Sequence, residues 1–122
     1  MSLSLKSGFW IRALLRRFDQ NGDSAMIVHK GNDDAGSIFI ILRDRSNNMV
    51  VLQEYGSSWR RHHFDTNDDE TRPIEEQVDT YLQRQKKYDP DLWIIELGVR
   101  DISRPLEYSL GSRKEIDKMP LT

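Results

Sequence analysis

The string Trp59-Arg60-Arg61-His62-His63-Phe64 holds the residue types in this chain best suited to chemistry. Guanidinium groups between aromatic rings can bind phosphates and stack on bases, the combination used to hold single-stranded nucleic acid. Adjacent histidines with an acidic neighbour, Asp65, could also hold a metal ion. Neighbours on an extended strand point to opposite faces, however, so His62 and His63 do not readily share one ion. The plainer account is an edge strand kept from aggregating by its charges. Upstream, Arg12 and Arg16 lie about one helical turn apart. If that helix flanks the edge strand, Arg12, Arg16, Trp59, Arg60, Arg61, His62 and His63 form one candidate interaction surface.

The remaining chemical groupings have plainer readings. Asp89 and Asp91 could act as an acid and base pair, but aspartate also favours turns because its side chain bonds nearby backbone N–H groups. Glu96 points opposite Trp93 along a strand and could pair with an arginine such as Arg16 or Arg17. Asp19-Gln20-Asn21-Gly22-Asp23 begins like a calcium loop, yet glycine falls at position four and position twelve is Lys30, which defeats calcium. Restriction-endonuclease-like enzymes share a Pro-Asp followed by an acidic residue two before a lysine. Here Pro90-Asp91 follows the wrong element and Gly98 stands two after Glu96, so that reading fails. Gly31 to Gly36 lacks the lysine and Ser/Thr of a phosphate loop, and no serine sits in a nucleophile-elbow context.

The elements that must carry these groups follow from periodicity. Ile11, Leu14, Leu15 and Phe18 repeat at helical spacing, bordered by Trp10, with Ser7 as N-cap and Gly22 past the end; this predicts a helix near 6–20. Strands follow at 25–30, 37–43 and 49–54, with 59–64 as a fourth, polar and therefore at an edge. The unbroken apolar run Ile38-Phe39-Ile40-Ile41-Leu42 places the second strand centrally, buried on both faces. Ile74, Val78, Tyr81 and Leu82 trace one face of a second helix, opened by Pro73, with Glu75 and Glu76 at its start and Lys86 and Lys87 at its end. After the Asp89-Pro90-Asp91 turn, Trp93, Ile95, Leu97 and Val99 share one face of a strand, and Pro105–Tyr108 is a possible last one.

Several segments occur together in an order that resembles a known family. They are Leu5-Lys6-Ser7-Gly8-Phe9-Trp10 leading to Leu15-Arg16-Arg17, Lys30-Gly31 with Asp34-Ala35-Gly36, and Arg84-Gln85 followed by Asp89-Pro90-Asp91-Leu92-Trp93-Ile94-Ile95-Glu96. The resemblance is to the small bacterial family catalogued as domain of unknown function 1491. It spans residues 5–107, is most specific at Asp-Pro-Asp-Leu-Trp and matches least from Asp44 to Glu70. Ser103 stands where related chains tend to have glycine. The resemblance implies a bacterial cytoplasmic domain and carries no activity, cofactor or catalytic residue.

The bulk numbers bound the answer further. A chain of 122 residues suits one domain, and no apolar run approaches the ~20 residues that span a bilayer. There is no cysteine, which removes thiolate chemistry and fits a reducing, cytoplasmic setting. Residues 1–64 carry 9 Lys/Arg against 6 Asp/Glu and residues 65–122 carry 9 against 14, so no strongly basic nucleic-acid footprint exists.

The expected fold is α+β: a single two-layer domain over 1–108, with a mainly antiparallel sheet of four to six strands and two amphipathic helices on one face. The order is α-β-β-β-(β)-α-β-(β), and 109–122 form a loosely ordered tail. Trp10, Leu14, Phe18, Phe39, Ile41, Val78, Leu82, Trp93, Ile95 and Leu97 are expected in one core. The leading function is a non-enzymatic interaction domain, self-associating or binding a protein partner through an unpaired strand edge. The alternatives are a hydrolase or nucleotide-acting enzyme with a dispersed site, and a weak single-stranded nucleic-acid binder. No catalytic residue, metal, cofactor or membrane association is assigned, and the net negative charge disfavours nucleic acid.

Overall fold

The computed structural model describes residues 5–64 and 72–114, apart from the side chains of Glu107 and Tyr108. Helix α1 spans Ser7–Gln20 and buries Trp10, Ile11, Leu14 and Phe18, the stripe that its periodicity predicts. Asn21 caps its end, and Gly22 follows at φ +76, where a side chain would be strained. Its start differs from expectation. Lys6 is the N-cap, and Ser7 is already helical and fully buried, with its hydroxyl donating to the Gly36 carbonyl at 2.6 Å.

Five strands form one sheet: β1 (Ala25–His29), β2 (Ile38–Arg43), β3 (Met49–Tyr55), β4 (Ser58–His63) and β5 (Trp93–Gly98), ordered β1-β5-β2-β3-β4. Every neighbouring pair is antiparallel except β2 with β5. That parallel pair requires a crossover, which helix α2 (Ile74–Tyr88) supplies between β4 and β5. The class is α+β with the expected element order, and the polar fourth strand lies at an edge. Pro105–Tyr108 does not make a further strand: the chain there enters a short helix, α3 (Glu107–Leu110).

The helices lie on opposite faces, so the expected two layers are three and the expected single core is two. Alternate residues of β2 divide between them, Ile38, Ile40 and Leu42 facing α1 while Phe39 and Ile41 face α2. Trp10, Leu14, Phe18, Trp93, Ile95 and Leu97 belong to the α1 core, and Val78 and Leu82 to the α2 core. The cause is the central pair β2 and β5, apolar on both sides, which needs cover on each.

The α1 side receives more than a helix. Val99, Ile102, Leu106 and Leu110 pack there beside Trp59, whose Nε1 donates to the Gly111 carbonyl at 2.7 Å. Arg113 makes a two-pronged ion pair with Glu54, at 2.9 and 3.3 Å, with both side chains buried. Glu54 also accepts from the Ile38 backbone N–H. Residues 109–114, expected in a loose tail, are therefore held; the rest of that tail, 115–122, lies outside the described residues.

One corner joins α1, the loop before β2 and the turn before β5. Asn32 N–H donates to the Asp91 carbonyl at 2.9 Å, Trp93 Nε1 to the Asn32 carbonyl at 2.7 Å, and Gly8 N–H to the Asp33 carbonyl at 2.9 Å. A Cβ on Gly31 would lie 2.2 Å from the Asp91 carbonyl oxygen, and one on Gly36 only 1.9 Å. Asp89 accepts from Asp91 N–H and Ser37 N–H, so it serves the turn.

Two outcomes follow for stability. Leu82, 4% exposed, lies in the α2 core, and Leu82→Ala is expected to cost ~2–5 kcal/mol; an unchanged denaturant midpoint would contradict this packing. Gly36→Ala forces backbone apart at the corner and should cost ~1–3 kcal/mol or more, seen as a lower midpoint than Gly22→Ala, which meets no neighbour.

Candidate functional site

The basic and aromatic surface expected from the sequence is not assembled. Along β4, Trp59 and Arg61 face the α1 side while Arg60 and His62 face the α2 side. Trp59 packs against Trp10, ring centroids 5.7 Å apart, so it is partly built into the core. Arg61 donates to the carbonyls of Ile102 and Arg104, pinning the chain after β5. Arg60 lies over the Tyr55 ring at 3.9 Å. Arg12 pairs with Asp33 at 3.1 Å, and Arg16 is exposed elsewhere on α1. Arg12, Arg60 and Arg61 thus serve separate local contacts.

His62 and His63 fall on opposite faces, as strand alternation requires, so they cannot chelate one ion together. His62 stacks on Tyr81 at 4.2 Å and meets Phe64 edge-on. Partial burial there, with the neighbouring His63 charge, lowers its pKa from the usual 6.5 and favours the neutral ring. The hollow beside it, about 320 Å³, is lined by Phe64, Arg72, Gln77, Tyr81 and Arg84 and, among the described residues, by no carboxylate. Among the described residues, no group of three His, Asp or Glu side chains could hold a metal ion.

Glu96 pairs with Arg43 at 3.3 Å, not with Arg16 or Arg17. It points to the α2 face, and α1 lies beneath the other, so that pairing is impossible. Arg43 also reaches Glu75 at 3.1 Å, tying the end of β2 to the start of α2. Hydrogen bonds from Asn47 and then Arg43 hold the Glu75 carboxyl below its ordinary pKa.

This ion-pair cluster closes one end of a groove of about 270 Å³ between α2 and β1. Val28, Ile41, Met49, Val78, Leu82 and Ile94 give it apolar walls, and His29 and Lys86 also line it. The groove exists because α2 covers too little of its face. Five strands at ~4.8 Å spacing put the outer two about 19 Å apart, whereas a helix is ~10 Å wide. On the α1 face the chain after β5 supplies extra cover. On the other face α2 packs toward β3, with Phe64 and Tyr81, and no element among the described residues covers the β1 side.

β1 is accordingly an open apolar edge. Met26 is 54% exposed, Ile27 39% and Val28 49%, an unusual degree for three successive apolar residues of a strand. Gly98 N–H donates to the Ser24 carbonyl at 2.9 Å, and the antiparallel register continues through Ala25, Met26 and Ile27. By the alternation of such ladders, the backbone groups of Ala25 and Ile27 point away from β5. A bulge follows between Ile27 and His29, and the successive side chains of Val28 and His29 both line the groove. None of these residues was in the surface expected from sequence. The available signal was an apolar triplet in a strand bracketed by Asp23 and Lys30.

The comparisons with known proteins agree with this fold. A crystal structure of a DUF1491 family protein from Caulobacter crescentus CB15 is similar, with 26% identity, a TM-score of 0.63, and 81% of this chain and 90% of that one covered. An NMR structure of a DUF1491 family protein from the same organism shares 27% identity, with a TM-score of 0.63 and coverage of 81% and 89%. The solution structure of Atu0922 from A. tumefaciens, at 23% identity, has a TM-score of 0.63 and the same coverage, and shows the fold alone. No curated protein matches. The family model described as protein of unknown function, DUF1491, matches residues 5–107. That match takes in most of the chain, which belongs to the DUF1491 family.

Proposed function

We propose that this chain is a protein-interaction module that works through the open edge of β1, accepting an extended segment as an added strand. The observation that carries this reading is the contrast between the two edges of one sheet. β4 presents Arg60, Arg61, His62 and His63, side chains that discourage pairing, and Trp59 and Arg61 bind the chain after β5. β1 presents the side chains of Met26, Ile27 and Val28, the outward backbone groups of Ala25 and Ile27, and a groove alongside. Main-chain hydrogen bonds would supply affinity, and the groove would sort side chains, as in other strand-addition complexes.

An enzyme with a dispersed site has less support, because no carboxylate among the described residues lines the His62 hollow and Arg43 is engaged in ion pairs with Glu75 and Glu96. A single-stranded nucleic-acid binder loses the continuous strip on which it depended. Among the described residues no helix is long and apolar enough to cross a membrane. The lack of cysteine supports a cytoplasmic setting.

A photo-crosslinking residue placed at Val28 tests the reading in the cells that make the protein. An adduct at position 28 is expected, absent with the probe at His63 and abolished by Ile27→Lys. Equal adducts at both edges, or none at Val28, would contradict it.

A further inference from the structure

We infer that the segment received by β1 is β1 of a second copy of this chain, paired antiparallel about a two-fold axis at Met26. The inference rests on reading β1 as the interacting edge and adds the identity of the partner. Three observations converge on it.

The first is the position of the usable backbone groups. Only Ala25 and Ile27 turn their N–H and C=O outward before the bulge interrupts the strand. An antiparallel partner must present outward groups at matching spacing. In a register centred on Met26, Ala25 of one copy exchanges both main-chain bonds with Ile27 of the other, and the reverse pair does the same. This register uses the regular part of the strand and avoids the bulge. Centring the axis on Ile27 would set Ala25 opposite His29, beyond the bulge, where the ladder has shifted.

The second is self-complementary charge. Asp23 precedes the strand and Lys30 follows it, both exposed. Antiparallel pairing about Met26 carries Asp23 of each copy to the level of His29 and Lys30 of the other. The third is the distribution of apolar surface. Met26 and Val28, on the α2 side, would be joined by the same residues of the second copy, and Ile27 on the other side by Ala25. A two-fold interface of this kind closes on itself, so it removes the exposed edge without building a filament. The product is one continuous ten-stranded sheet, ten being the five strands of each copy.

The chain contains no cysteine, so a single introduced thiol reports the register directly. Met26 would face its own counterpart across a non-hydrogen-bonded pair, with Cα atoms about 4.5 Å apart, a separation that a disulfide accepts. Met26→Cys should therefore form a covalent dimer under mild oxidation. His63→Cys, on the other edge, should link several-fold less. Sedimentation equilibrium of the unmodified chain should show mass rising from 14.4 kDa toward twice that value with concentration, and Ile27→Lys should stay at the monomer mass. Linking of Met26→Cys no better than His63→Cys, or a wild type monomeric at all concentrations, would overturn the inference. If Val28 adducts in cells then carry some other mass, the second copy is excluded while β1 stands as the interaction edge. If Val28 gives no adduct either, both readings fall.

Discussion

The structure depends on one constraint: β2 and β5 lie side by side in parallel at the centre of the sheet, apolar on both faces. A parallel pair cannot be closed by a hairpin, so the chain must leave β4, cross one face as α2 and return as β5. The other face must then be covered by α1. Both cores follow from this arrangement. So does the outermost place of β1, which among the described residues is hydrogen-bonded to β5 alone and has no element over its α2 side.

Much of this was legible where local pattern and tertiary demand agree. The stripe of α1, the charge-capped α2 and the five-residue apolar run of β2 reported their elements because packing uses the same periodicity that the sequence displays. The polar character of β4 reported an edge, and strand alternation separated His62 from His63. Other features need a third dimension. An amphipathic helix shows that one face is buried but not which side of a sheet buries it, so α1 and α2 could not be assigned to opposite faces. Glu96 found Arg43, a residue distant in sequence, because β2 and β5 are neighbours only through the crossover. Arg113 looked like part of a polar tail, and only its approach to Glu54 makes it a buried anchor.

The candidate surface was the least legible part. Arg12, Arg16, Trp59, Arg60, Arg61, His62 and His63 were grouped by chemistry, but folding sends them to different faces and gives several of them structural partners. Met26, Ile27 and Val28 attracted no notice because apolar residues in a strand usually mean core. Their exposure is a consequence of strand order alone. The segments that carry the family resemblance also turn out to be architectural. Ser7, Gly8, Gly31, Gly36 and Trp93 meet in the corner before β2 and β5, where backbones approach too closely for a side chain. They explain how the fold is held and leave its use to the edge.

The use of that edge is tested most directly by residue-resolved amide hydrogen exchange over a range of protein concentrations. Outward N–H groups of an unpaired strand exchange freely, whereas paired ones are protected. The account predicts rapid exchange at Ala25 and Ile27 in dilute solution, slowing as concentration rises, while β2 stays protected throughout. Protection of Ala25 and Ile27 at every dilution, or exchange that never responds to concentration, would contradict it.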